Sequence, residues 1–124
     1  MDDSYQLEQI DGIVIFRPVG NMRFQQTVAL ISEAMVTARE LGFKKVLIVC
    51  EELTGFQPPS LSERHWMIRE WVAASEGSLK MALVAPAAFI DPEKFGVVAA
   101  ANFGMTAEVF TSESEAMDWL QGLA

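Results

Sequence analysis

Between Lys44 and Trp71 the chain reads KKVLIVCEELTGFQPPSLSERHWMIREW. The apolar run from Val46 to Cys50 does not alternate with polar residues, and it stops at Glu51 and Glu52. A strand without a polar side must be covered on both faces, which is the condition of a parallel strand inside an α/β sheet. A loop with Gly55 and Pro58-Pro59 follows, and a helical pattern begins at Ser60. A strand feeding a helix in this way puts the loop at the carboxyl edge of the sheet, where open α/β folds bind their partners. This one stretch therefore constrains both the architecture and the place of a site.

The rest of the chain repeats the unit. Segments 5–10 and 13–19 flank Asp11-Gly12, a pair suited to the two positive-φ positions of a tight hairpin turn. Asn21 is a candidate helix cap, and Phe24, Val28, Ile31, Met35 and Ala38 form one helical stripe that Gly42 ends. Ser60 and Glu63 have capping-box spacing. The helix they open presents Leu61, His65, Ile68 and Val72 as a stripe, widened by Met67 and Trp71, with Trp66 off it. Segment 79–85 is another apolar strand, ended by Pro86.

Asp91-Pro92-Glu93 predicts a helix start, with Phe95, Val98, Ala99 and Asn102 on one side and Gly104 as the stop. Segment 107–110 is a last short strand. Ser112 and Glu115 form a second capping box, with Ala116, Trp119, Leu120 and Leu123 inward. The order is ββαβαβαβα. It predicts one α/β domain over residues 1–124: a mainly parallel five-stranded sheet with an antiparallel N-terminal edge strand, right-handed crossovers and four helices.

Bulk composition narrows function by exclusion. Half the residues are apolar and 21% are charged, as in a globular domain. The apolar runs are far shorter than the roughly 20 residues of a membrane span. The acidic start MDDSYQLEQ lacks the basic and apolar parts of a secretory leader, and a single cysteine suits a reducing compartment, so a cytoplasmic location is expected. Nine basic against 17 acidic residues leave a net charge of −8. Such a surface repels phosphate backbones and anionic lipid heads, which disfavours nucleic acid and membrane. A protein partner with a basic patch and a neutral apolar ligand both remain open. The acidity also serves solubility alone.

Three segments carry a family likeness: the opening DGIVIFRPVG, the strand and loop VLIVCEELTGF, and the tail LKMALVAP with AEVFTSESEAMDWL. With these the chain resembles the SpoIIAA-like domains, the STAS fold of anti-sigma-factor antagonists, and more closely their SEC14-type branch. The resemblance implies a regulatory rather than catalytic domain that docks a partner through the strand-to-helix corner. In phosphoregulated antagonists a serine opens the second helix within an Asp-Ser-Ser-Gly-like turn and is modified by a partner kinase. Ser60, in Phe56-Gln-Pro-Pro-Ser60-Leu, falls near that place, but the preceding acid and the following glycine are absent. Some members of the closer branch are thought to bind apolar molecules or other proteins.

Each reactive residue has a structural reading beside the chemical one. A phosphate on Ser60 would meet free backbone donors at a helix start, and the same position needs a serine simply as a cap. Cys50 and His65, the only cysteine and histidine, could form a thiolate–imidazole pair. Both also suit packing, one at a strand end and the other on an apolar stripe. Glu51 and Glu52 invite an acid/base or metal reading, yet neighbours on an extended chain point to opposite faces. The seven methionines fit an adaptable apolar site or an ordinary core. No spacing of the glycines makes a phosphate loop.

The sequence thus predicts a non-enzymatic regulatory domain that docks a protein partner, without metal or cofactor. The expected surface comprises Glu51, Glu52, Thr54, Phe56, Ser60, Arg64 and Trp66, with the loop 86–91 beside it. The competing expectation is a carrier of a small, lipid-like ligand, with a concave pocket near Phe56 and Phe89. A homodimer through an uncovered sheet face or edge is a further expectation.

Overall fold

The structure, a computed structural model, describes residues 5–91 and 93–122. Strands β1 (Tyr5–Ile10) and β2 (Ile13–Asn21) form an antiparallel hairpin. Its turn uses Asp11 at φ 51° and Gly12 at φ 79°, the left-handed pair that matches strand twist. Helix α1 (Phe24–Glu40), strand β3 (Lys45–Val49), strand β4 (Glu52–Thr54) and helix α2 (Leu61–Ser75) follow. Strand β5 (Lys80–Val84), helix α3 (Phe95–Asn102), strand β6 (Thr106–Phe110) and helix α4 (Glu113–Gln121) complete the chain. A single 3-10 turn, Ala87–Phe89, lies between β5 and α3.

The main sheet runs β1-β2-β3-β5-β6 and is parallel after the hairpin. The α/β architecture and the antiparallel edge strand are as the sequence predicts. The sheet has six strands rather than five, because β4 pairs with the far end of β2, in register Val19 with Glu52 to Asn21 with Thr54. That pairing keeps Asn21 in β2, so Arg23 and not Asn21 is the cap position of α1.

Burial on β3 follows from its position. Val46 and Ile48 enter a core shared with α1, α2 and α3, while Leu47 and Val49 enter a second core under α4. Both sets are buried, which is what a strand without alternation requires. Each fully buried Ile or Leu here stabilises by about 1.5–3 kcal/mol relative to exposure. Trp71 is buried between α1 and α2, and its indole N–H donates to the Val28 carbonyl at 3.3 Å.

Two helices depart from expectation. In α2 the inward residues are Ile68, Trp71, Ala74 and Ser75, whereas Leu61 is 64% exposed and His65 is exposed. The cause is that only the second half of α2 meets the core. In its first turns Arg64 bonds to the 3-10 turn and the exposed His65 ring lies against Phe103. Helix α3 begins at Phe95 instead of Asp91, because Lys94 adopts φ 53° and so interrupts the right-handed path. Val98 is 55% exposed and Asn102 is exposed, and Ala99 and Ala100 do the packing. The expected role of Pro92 lies outside the described residues, as do the inward side chains expected of Phe95 and Leu123. Among the described residues no helix is long and apolar enough to cross a membrane.

Candidate functional site at the carboxyl edge of the sheet

The site begins where β3 ends. The Cys50 amide donates to the Val84 carbonyl at 2.8 Å, which holds the chain against β5 before it swings away as β4. The Thr54 carbonyl then accepts from the Met22 amide at 2.9 Å. At Gly55 the backbone takes φ 107°, and a Cβ there would lie 2.6 Å from the Met22 carbonyl oxygen. Only glycine passes so close under the start of α1. The turn sends Phe56 back over the sheet edge.

Phe56 meets two rings edge-on, Phe24 and Phe89, each with centroids 5.7 Å away. Phe24 also packs on Trp66 at 6.1 Å. Such edge contacts add about 0.5–1.5 kcal/mol per pair beyond area burial. Behind the rings lies a cavity of about 80 Å³. Val28 and Ile31 line it from α1, Met67 and Trp71 from α2, Leu83 from β5, Leu53 from β4 and Cys50 from just after β3. Arg64 donates from Nη1 to the Phe89 carbonyl at 3.1 Å, fastening the 3-10 turn to α2.

Ser60 forms both halves of the expected capping box. Its Oγ accepts from the Glu63 amide at 3.2 Å, and its amide donates to Glu63 Oε1 at 2.9 Å. Ser60 is itself exposed.

The sequence-predicted residues therefore divide into two groups. Phe56, Arg64 and Trp66 gather around the cavity with Phe24 and Phe89. Glu51 and Glu52 lie elsewhere, bordering a polar recess of about 230 Å³ with Arg17 and Val49. Alternation along β4 makes the division: Leu53 points into the cavity, and Glu52 and Thr54 are exposed. Arg17 is bonded to Glu8 at 2.9 Å and, through both terminal nitrogens, to the Glu113 carboxylate, which raises its pKa further.

Cys50 and His65 are not brought together. Cys50 lines the cavity, and desolvation by the surrounding apolar walls pushes its thiol pKa up to about 12. His65 is exposed on α2 with its ring against Phe103, centroids 6.4 Å apart. A neutral thiol held among apolar walls is a poor nucleophile. Among the described residues no three His, Cys, Asp or Glu side chains are placed to hold a metal ion.

Sequence reasoning missed Phe24, Leu53, Trp71 and Leu83 as parts of one cavity. Leu53 had a signal, since Glu52-Leu53-Thr54 alternates as a half-buried strand does. The other three read as core because the stripe pattern records burial, not which gap a side chain borders.

A mixed sheet with its hairpin at one edge, helices on both faces and an apolar hollow at the carboxyl end defines an open-sheet α/β domain. Comparison with solved structures specifies the fold. A candidate anti-sigma factor antagonist from Thermotoga maritima matches at 18% identity over 96% of each chain, with a TM-score of 0.56. The NMR structure of that protein matches at 17% identity over 98% of this chain and 91% of its own, with a TM-score of 0.54. An uncharacterised Shewanella loihica protein with a SpoIIAA-like fold matches at 20% identity over 94% and 91% of the two chains, with a TM-score of 0.52. The chain has the SpoIIAA-like fold. No family model and no curated protein sequence matches it.

Proposed function

We propose that this domain is a non-enzymatic regulatory module that docks a partner protein at the carboxyl edge of its sheet. The partner inserts one apolar side chain between Phe24, Phe56 and Phe89, and Ser60, Arg64 and Trp66 form the surrounding contact surface. The observation that carries this reading is an apolar cavity that opens beside exposed polar groups, the make-up of an interface hot spot. Its size supports a side chain as occupant. An apolar cavity of about 150 Å³ holds one benzene molecule, and this cavity offers about half as much space. Glu51 and Glu52 and the net charge of −8 favour a partner with a basic rim. The likeness to a candidate anti-sigma factor antagonist agrees with a regulatory role.

A second reading places a small apolar molecule in the same cavity. Four aromatic walls and the flexible Met67 favour it. One experiment separates the two. A photoreactive amino acid is placed at Trp66 in the full chain in its own cell, with a control at Asp118 on α4. Docking predicts a single protein crosslinked from position 66, absent from position 118, and lost when Ala85, which lines the cavity, is enlarged by Ala85→Leu. Native mass spectrometry showing a bound small molecule that Ala85→Leu releases would establish the carrier reading instead. Crosslinking that Ala85→Leu leaves unchanged would remove the cavity from either role.

A further inference from the structure

We infer that two copies of this chain pair through β1, forming one continuous sheet across a twofold axis with Leu7 of each copy opposite Leu7 of the other. The starting observation is an edge strand whose one protecting charge, Glu8, is paired with Arg17 of the neighbouring strand. β1 pairs one-for-one with β2 over six positions, from Tyr5 with Pro18 to Ile10 with Ile13, so it carries no bulge. It contains no proline, lysine or arginine. Monomeric proteins guard such edges with those devices, because an open ladder of donors and acceptors invites another strand.

The hairpin turn decides which backbone groups are open. A two-residue turn makes Ile10 and Ile13 a hydrogen-bonded pair. Positions 6, 8 and 10 therefore direct their amides and carbonyls at β2, and positions 5, 7 and 9 direct theirs outward. An antiparallel copy centred on Leu7 joins 5 to 9, 7 to 7 and 9 to 5, which uses every outward group. A copy centred on Glu8 would use fewer and would face two carboxylates across the axis. The Leu7 register is therefore the favoured one.

The side chains point to the same occupant. Between α1 and the hairpin lies an open groove of about 320 Å³, with Phe16 and Val14 in its floor and Leu30 and Ala34 on its helical wall. Leu7 and Leu41 border it at 48% and 65% exposure. A twofold axis perpendicular to the sheet keeps each face on its own side, so the second Leu7 closes the open flank of the groove. The groove offers little charge to recruit a charged partner, so the backbone register and the apolar side chains select the occupant. Glu33 is the one charged residue among the described residues lining the groove, and Arg17 pairs with Glu8 on the opposite face of β1.

The test is sedimentation velocity of the full chain across the micromolar range, paired with residue-resolved hydrogen exchange. The expected result is a reversible dimer in which the amides of Leu7 and Gln9 become protected as concentration rises, while those of Glu8 and Ile10 are protected throughout. Leu7→Lys weakens the dimer by at least about tenfold, and Val98→Lys, on an exposed helix, leaves it unchanged. A chain monomeric at every concentration overturns the inference and leaves the groove to another protein's strand or a ligand. So does a dimer in which Leu7 and Gln9 stay unprotected, or one that Leu7→Lys does not weaken.

Discussion

The Arg64 guanidinium donates to the main-chain carbonyl of Phe89 across 3.1 Å, joining the first turns of α2 to the 3-10 turn after β5. That bond holds the Phe89 ring against Phe56 and keeps the apolar cavity walled on its outer side. Arg64→Ala is expected to lower stability by about 1 kcal/mol, the value of a partly exposed bond from a charged donor. It also speeds amide exchange at Phe89 and Ile90. Urea unfolding and exchange check both effects, and an unchanged Phe89 amide would show that the turn holds itself.

Gly55 is the tightest point of the loop. Alanine there must adopt φ 107° and place its Cβ 2.6 Å from a backbone oxygen that cannot move aside cheaply. Gly55→Ala is expected to cost more than about 2 kcal/mol. Gly12→Ala makes the comparison, since its positive φ of 79° is strained but no atom lies within 4 Å. A cost of about 1 kcal/mol is expected there. Equal losses in urea denaturation would mean that dihedral strain acts alone at both sites.

Ser60 is in the first place a helix cap. Ser60→Ala removes the acceptor for the Glu63 amide and should cost about 1 kcal/mol. Ser60→Asp keeps an acceptor and adds charge at the positive end of α2, so stability should return to near the wild-type value. If Ser60→Asp also abolishes partner crosslinking from position 66 while the fold stays intact, charge at this position controls docking. Unchanged crosslinking would make the cap its whole role.

Cys50 supplies a pH dependence with a definite sign. Its thiol pKa is raised to about 12 by burial, so the native state holds a proton that the unfolded chain releases near pH 8.5. The stability this contributes is complete below that pH and is lost as pH rises towards 12. The wild-type advantage over Cys50→Ala should therefore shrink above about pH 9, by at most about 1.4 kcal/mol per pH unit. Native chain should also react with iodoacetamide at pH 8 far more slowly than urea-unfolded chain. Equal rates would place the thiol in water.

The hairpin turn, the capping box at Ser60 and the non-alternating β3 were readable because each is a local rule: left-handed φ, cap spacing and two-sided burial. The α2 stripe was readable in type but not in phase. Leu61 and His65 share the helical spacing of Ile68, and only the absence of core beneath the first turns leaves them exposed. The start of α3 was misplaced because Asp91 and Glu93 look like a cap and first turn, while Lys94 at φ 53° delays the helix to Phe95.

The candidate site shows the same division. Phe56, Arg64 and Trp66 lie close in the chain, and their loop and helix could be placed from spacing. Phe24 and Phe89 join them from 32 residues before and 33 after Phe56, through ring contacts that no local pattern encodes. The separation of Glu51 and Glu52 from the cavity likewise depends on β4 pairing with β2.

Apart from β4, element types and their order were settled by periodicity and turn chemistry, which act over a few residues. Which side chains border the hollow, and which edge of the sheet stays open, was decided by pairing and packing between distant segments, because a gap exists only where separate surfaces meet.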